Sequence, residues 1–527
     1  VPDSVDVAIV GSGLGGLVAG AYLARAGLSV ACFESHYVAG GCATEFVRGG
    51  KSRRFRFDVG LHYVGDCAED GTIPSILRDL GRFVDFVSMD PAGFDTLVFP
   101  DLTFRVPADV ELYRSRLCDR FPSERRGIDR YVRVLEGVMK AGRVLEHGKP
   151  GLRGAVALAP HALDLARFSN ATIGELVAWA TRDPKLQAVF LGQSGDYGLP
   201  PSRASALLHL GLAGHYFRGA YYPRGGGQTI ADEVAEAFEA AGGTLHLRRG
   251  VARVRVERGT AVGLELEPRA GQTSQHVRAR VVLSNADIAR TLTHLVGLEH
   301  LPASWVKRVD GFRMGGAIFM TFLGLRGSPA DFGMRRTNYW QFDDYDFERF
   351  YAAPPPGMPI EARGCYVTSG SLKDPESALH HAPEGHATLE AMTLVPAAGP
   401  RWHVSADDAV AWNYRDNAAY QAQKDALEAD MVARVERLFP GIAANIVHRE
   451  SATPVTHQRF TRATDGTGYG LAVTPDQMMK HRPGYRGPLP GLYFAGASTR
   501  AGHGIVGAMM SGKNAARRIA SDLGRRV

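Results

Sequence analysis

Residues 5–34 read VDVAIVGSGLGGLVAGAYLARAGLSVACFE. The apolar run at 7–10 has the character of a buried parallel strand. Gly11, Gly13 and Gly16 follow in G-x-G-x-x-G spacing, good helix formers continue to about Ala26, and Gly27 stops the helix. A second strand, 29–33, ends in Glu34, about twenty residues beyond the glycines, where a dinucleotide fingerprint places its acid. Strand, glycines, helix, strand and acid in that order constrain the fold more than any other feature. They predict a β-α-β unit whose strand ends carry a dinucleotide.

The chemistry explains the spacing. Gly11 permits the tight turn, Gly13 lets backbone approach a pyrophosphate, and Gly16 lets helix and strand pack closely. The helix N-terminus offers unpaired N–H groups and partial positive charge to the phosphates. Glu34 can accept hydrogen bonds from both hydroxyls of a ribose, and its charge repels a 2′-phosphate.

With 527 residues the chain exceeds one hydrophobic core, so two domains or one elaborated domain is expected. The net charge of +6 comes from arginines spread along the chain rather than blocked, which reads as a solvated surface and not as a nucleic-acid stripe. A peripheral contact with anionic lipid stays open. The five cysteines (Cys32, Cys42, Cys67, Cys118 and Cys365) are odd in number and lack C-x-x-C spacing, which argues against a disulfide frame or a zinc site. The chain starts almost directly on its first strand, with no room for a signal peptide, and no apolar run approaches membrane-spanning length. These features predict a cytoplasmic protein, with attachment at the inner face of a membrane left open.

Beyond Glu34, Gly40 and Gly41 suit backbone passing close to a phosphate or ribityl chain, and Thr44 adds a hydroxyl. Residues 54–66 hold Gly60, His62 and Gly65 in a tight segment. Helical patterns are predicted at 72–80, 124–145, 173–180 and 202–212. Two stretches, 152–168 and 204–217, are conspicuously apolar and read either as buried elements or as a greasy lid rimmed by arginines. Residues 225–227 are a glycine turn without a preceding strand or a ribose acid, so one nucleotide site is expected. Residues 244–267 read as β-hairpin material, and 281–283 as a buried strand. Further strands are expected at 317–323, 364–369 and 387–395, a proline loop at 354–356, and a long helix at 417–439. Near the C-terminus a strand at 492–495 leads through Gly496 and Ala497 to a glycine-punctuated turn and a helix at about 505–523. That helix N-terminus suits the N1–C2 carbonyl edge of a flavin.

Taken together these segments resemble the FAD-dependent amine-oxidase-like superfamily, and more narrowly its phytoene desaturase, carotenoid isomerase and retinol saturase group. The matching stretches include FDVGLHYVG (57–65), YPRGGG (222–227), GVARV (250–254), SNAD (284–287), GYGLAVTPDQ (468–477), LPGLYFAGAST and GIVGAMMSGKNAA. The resemblance implies an α/β fold: a Rossmann-like FAD-binding domain (1–75, 225–300, 481–527) with a discontinuous α+β substrate domain (76–224, 301–480) carrying a helical, apolar lid. It implies noncovalent FAD held by Gly11, Gly13, Leu14, Gly15, Gly16, Glu34 and Ser35, by Gly40, Gly41, Cys42, Ala43 and Thr44, and by Gly60, Leu61 and His62. Val251, Asn285, Ala286, Gly496, Ala497, Gly504, Ile505 and Val506 complete the set. His62 and His503 are the candidate catalytic groups, because both are brought towards the flavin.

The function implied is oxidation, reduction or isomerisation at carbon–carbon bonds of a long apolar lipid such as a carotenoid, a retinoid-like terpenoid or an unsaturated acyl chain. Such a substrate has no ionised handle, so an apolar pocket with few titratable groups is expected; the electron donor or acceptor is left open. The alternatives are an amine oxidase, for which Tyr469 and Trp340 are the aromatic candidates, and a non-catalytic lipid- or prenyl-binding escort on the same fold.

Overall fold

The computed structural model describes residues 1–50, 54–146, 151–268, 273–355 and 357–527; within the expected proline loop, Pro356 lies outside them. The first strand, Ser4–Val10, pairs in parallel with Val30–Phe33 on one side and with His276–Ser284 on the other. Val7 and Ile9 pack into a core shared with the helices Leu14–Arg25, Gln228–Ala240 and Gly504–Asp522. Ala8 and Val10 point the other way, into a core with residues 251–266 and 288–301. Burial on both faces is why this strand reads as an unbroken apolar run.

The strand His276–Ser284 is the junction of the sheet. Its first residues pair antiparallel with Thr260–Leu266, and its last three pair in parallel with Leu492–Phe494. Three distant pieces of chain therefore meet on one strand. The segment 244–267 departs from a simple hairpin. Thr244–His246 pairs in parallel with Val30–Phe33, and only Val251–Glu257 and Thr260–Leu266 form the hairpin. The cause is local: the helix Gln228–Ala240 and the turn at Gly242 return the chain to the edge of the first sheet beside Val30–Phe33.

A second seven-stranded sheet runs in the order Ile446–Ala452, Ala317–Arg326, His386–Val395, Gly364–Thr368, Asn338–Phe342, Asp95–Phe99, Leu102–Val106. The helix Ala418–Leu438 covers one face, with Leu427, Met431 and Val435 buried. The helices Arg125–Glu146 and Ala206–Tyr216 pack on each other beyond the sheet's other end. The second of these starts four residues later than its sequence pattern suggests, because Ser205 caps it from a turn that follows Pro200 and Pro201. The apolar stretch at 152–168 is two short helices, Leu152–Leu158 and Ala162–Phe168. Among the described residues no helix is long and apolar enough to cross a membrane.

Candidate active site

A cavity of about 1650 Å³ opens at the carboxyl ends of the parallel strands and continues to the second sheet. Its first part is a cradle made almost without side chains. A Cβ on Gly13 would stand 2.8 Å from Asn285 Nδ2, one on Gly15 2.5 Å from Asn285 Oδ1, and one on Gly41 3.0 Å from Gly13 Cα. Gly41 also has φ +64°, in the left-handed region that glycine enters freely. The helix Leu14–Arg25 begins at Gly13 with no side-chain cap, so its first-turn N–H groups have no such acceptor. Glu34 lines the same space. Its Oε2 accepts from Ser12 N (2.8 Å) and Ser12 Oγ (3.0 Å), and its Oε1 accepts from His36 N (2.8 Å). Three of the carboxylate's about four acceptor positions are thus used to fix its orientation.

Ser35, Gly40, Cys42, Ala43, Thr44, Gly60, Val251, Ala286 and Ala497 border the cavity beside Gly11, Leu14 and Gly496. Thr44 spends its hydroxyl on Gly41 O (3.0 Å), which shapes the loop. Gly504, Ile505 and Val506, at the uncapped start of the last helix, border it from the opposite side. The two helices are locked together: a Cβ on Gly512 would stand 2.3 Å from Gly15 O. Two expected contacts are corrected. Gly16 and Leu61 do not border the cavity. Gly16 lies under the turn, where a Cβ would come 2.4 Å from Gly11 O, and Leu61 is turned into the core.

The triple glycine at 225–227 serves carboxylates rather than phosphates. Gly225 N donates to Asp374 Oδ2 (2.7 Å) and Gly227 N to Asp58 Oδ1 (2.8 Å). Tyr222 donates to the other oxygen of Asp58. Lys373, 2% exposed, lies over the Tyr222 ring at 4.4 Å and donates to His62 O. A buried ionic cluster thus supports the His62 loop from behind.

His62 and His503 both border the cavity. Burial, then the charge of Lys373, holds His62 down to about 3. Burial, then the charge of Arg482, holds His503 down to about 4, and its Nε2 lies 3.2 Å from Asp196 O. Both rings are therefore neutral at pH 7 and accept protons poorly. Their Nδ1 atoms and Asn285 Oδ1 are buried without a hydrogen-bond partner among the described residues. Orphaned polar atoms beside a side-chain-free cradle fit a bound dinucleotide with a polar ring at its inner end.

The inner part of the cavity is walled by apolar groups, including Ile318, Met320, Phe322, Phe342, Phe350 and Leu212. One feature departs from an apolar pocket with few titratable groups. Tyr63 OH lies 2.9 Å from Asp196 Oδ2 and 3.2 Å from Asp95 Oδ2. Asp95 also accepts from Gln193 (2.8 Å) and Asn338 (2.9 Å) and is fully buried. Asp196 borders the cavity and Asp95 stands behind it. The aromatic candidates Tyr469 and Trp340 flank Gly195: Tyr469 OH donates to Gly195 O (2.7 Å), and a Cβ on Gly195 would stand 2.2 Å from the indole. Trp340 packs edge-on to Tyr366 at 4.5 Å.

The family model for an NAD(P)-binding Rossmann-like domain matches residues 9–80, and the model for flavin containing amine oxidoreductase matches residues 403–520. All-trans-retinol 13,14-reductase of Danio rerio is 29% identical over 490 residues, covering 89% of this chain and 78% of that protein. Prolycopene isomerase 1, chloroplastic, of an Oncidium hybrid cultivar is 25% identical, covering 99% of this chain and 85% of that protein. An oxidoreductase from Methanosarcina mazei shares the fold with TM-score 0.63 at 17% identity, over 96% of this chain and 99% of that one. Joined to a glycine cradle whose residues fit FAD, these similarities liken the chain, over nearly its whole length, to FAD-dependent oxidoreductases of the amine-oxidase-like superfamily.

Proposed function

We propose that this enzyme saturates or isomerises carbon–carbon double bonds of a long conjugated isoprenoid of the retinoid or carotenoid class. The observation that carries the reading is continuity: one cavity joins the glycine cradle to a long end walled by Ile318, Met320, Phe322 and Phe342. An extended polyene can be aligned there by shape and dispersion alone. The relatives named for retinol reduction and prolycopene isomerisation support that substrate class.

Bound FAD supplies two-electron hydride chemistry. The residues that would hold it are those of the cradle, with Gly13, Gly15 and Gly41 at the pyrophosphate, Glu34 at the ribose and Val251 at the adenine. The last helix, from Gly504, would direct its N-terminal dipole at the ring's carbonyl edge. The neutral rings of His62 and His503 would hold hydrogen bonds at the same end. The apolar wall excludes water and aligns the chain of double bonds.

The outer surface suggests where the lipid comes from. Leu163 is 88% exposed and Val156 66% exposed, while Leu165 on the same helix as Leu163 borders the cavity. With Arg153 and Arg167 exposed nearby, these helices would rest on an anionic membrane surface and admit substrate from it. Salt-sensitive cosedimentation with anionic liposomes is the expected behaviour.

The deciding experiment incubates the FAD-loaded enzyme anaerobically with all-trans-retinol, a poly-cis carotene and an aliphatic diamine, each with the flavin oxidised and reduced. Saturation adds two hydrogens to a polyene, and isomerisation shifts its absorption at constant mass. Bleaching of oxidised flavin by the diamine, with every polyene recovered unchanged, would replace this reading by amine oxidation.

A further inference from the structure

We propose that Asp196 is the acid that delivers a proton to the substrate's carbon chain, with Tyr63 bridging it to the ionised Asp95 behind it. The proposal deepens the polyene reading above and rests on it. Saturating a carbon–carbon double bond requires a proton as well as a hydride, and the two histidines at the cavity are held neutral by burial. The proton must come from another group on the wall.

The geometry selects that group. A phenol carries one proton, yet the Tyr63 hydroxyl lies within hydrogen-bond distance of two carboxyl groups, Asp196 at 2.9 Å and Asp95 at 3.2 Å. Two ionised carboxylates bridged by one buried hydroxyl would repel each other across it, which favours a further proton held within the trio. Asp95 is the better anion, because Gln193 and Asn338 also donate to it. Among the described residues Asp196 receives only tyrosine hydroxyls, from Tyr63 and Tyr216, whose rings stack at 4.4 Å. Burial, then the charge of Asp95, raises the Asp196 carboxyl well above the usual carboxylate range. The extra proton therefore rests on the carboxyl that borders the cavity rather than on the one behind it.

Its position is suited to the task. Asp196 is tied through its own carbonyl to His503, at the start of the last helix, and Tyr63 follows His62 in the chain. The acid thus stands between the two elements that border the flavin end of the cavity. In the reductive step, one C–H bond forms with the electron pair of the hydride that reduced FAD supplies. The displaced π pair forms the second C–H bond with the Asp196 proton, and the carboxyl O–H breaks. The resulting Asp196 carboxylate keeps the hydroxyls of Tyr63 and Tyr216 as donors until solvent returns its proton on product release. Electrons and protons balance, with two hydrogens added to the substrate.

The test uses the FAD-loaded enzyme and has two arms. In the first, infrared spectra are recorded in H₂O and D₂O at pH 7. A protonated carboxyl gives a carbonyl stretch above the amide I band that moves on deuteration, and the wild-type minus Asp196→Asn difference spectrum should show one such component lost, while any from the buried Glu390 is common to both and cancels. In the second, turnover of the polyene identified above should fall at least about 100-fold in Asp196→Asn, the scale of general acid catalysis, with FAD content unchanged. Should that variant be recovered without FAD, Tyr63→Phe replaces it: the band stays and turnover falls about tenfold. A difference spectrum with no carboxyl component lost in Asp196→Asn, or turnover within about threefold of wild type in the variant tested, overturns the proposal. Wild-type enzyme that transforms no polyene at all refutes the substrate reading instead, while the infrared arm still judges where the proton resides.

Discussion

Lys373 is the most exacting test of how the site is supported. It is 2% exposed, and the charges acting on it are those of Glu390, Asp58 and Asp95, of which Glu390 is 1% and Asp58 4% exposed. Burial lowers the lysine and raises both Glu390 and Asp58, so each partner's charge is sustained by the others. Lys373→Met keeps the length of the side chain and removes the cation. Breaking a buried charge pair costs about 3–5 kcal/mol, and about 3 is expected here because the orphaned carboxylates can recover part of it by taking up a proton. For 527 residues the unfolding entropy is about 1.1 kcal/mol per kelvin, so the temperature of cooperative unfolding should fall by about 3 °C. The release of flavin fluorescence on heating reports that temperature directly. The discriminating variant is Lys373→Met with Glu390→Gln. Neutralising Glu390 as well removes the first of the three carboxylates that faced the lysine, and at least half of the lost stability should return. A double variant no more stable than Lys373→Met alone would show that the lysine stabilises by packing on Tyr222 and not by charge.

Gly13→Val should abolish FAD retention while leaving a folded, colourless protein, because the new side chain fills the cradle against Asn285; a full yellow complement after gel filtration would refute the assignment. His503, held at about 4 against an ordinary 6.5, binds fewer protons folded than unfolded between those values. The stability it contributes is complete above pH 6.5 and is lost as pH falls towards 4, about 2 kcal/mol by pH 5. Between pH 7.5 and 5, wild type should therefore lose about 2 kcal/mol more than His503→Gln by denaturant titration; parallel losses would contradict the burial argument. His62→Asn should keep FAD, and its rate–pH profile should lack any change near pH 6.5 relative to wild type, because the imidazole it replaces does not titrate there.

The first β-α-β unit was legible because its causes are local. Residues 7–10 are apolar, the glycines follow at once, and Glu34 closes the unit within thirty residues. The same holds for the last helix, announced by the glycines at 502 and 504. What stayed hidden depends on pairing between distant segments. Asp95 enters the site because its strand pairs in parallel with Asn338–Phe342, more than two hundred residues away, and nothing near residue 95 announces that register. Asp196 sits in a stretch, QSGDYG, that reads as an ordinary polar turn. Only folding brings Tyr63 between them. Gly16 and Leu61 lie outside the cavity lining for the opposite reason: a motif names a stretch of backbone, and not every residue of that stretch borders the cavity. The assignment of residues 244–267 failed on a similar point, since alternation marks a strand but not its partner.

The pairing of Leu492–Phe494 with the end of His276–Ser284 has a consequence for biosynthesis. The ribosome makes the glycines of the fingerprint more than four hundred residues before the wall that faces them, Gly496 to Val506. The appearance of the fingerprint alone therefore does not complete the FAD site, and loading waits at least until that wall has been made.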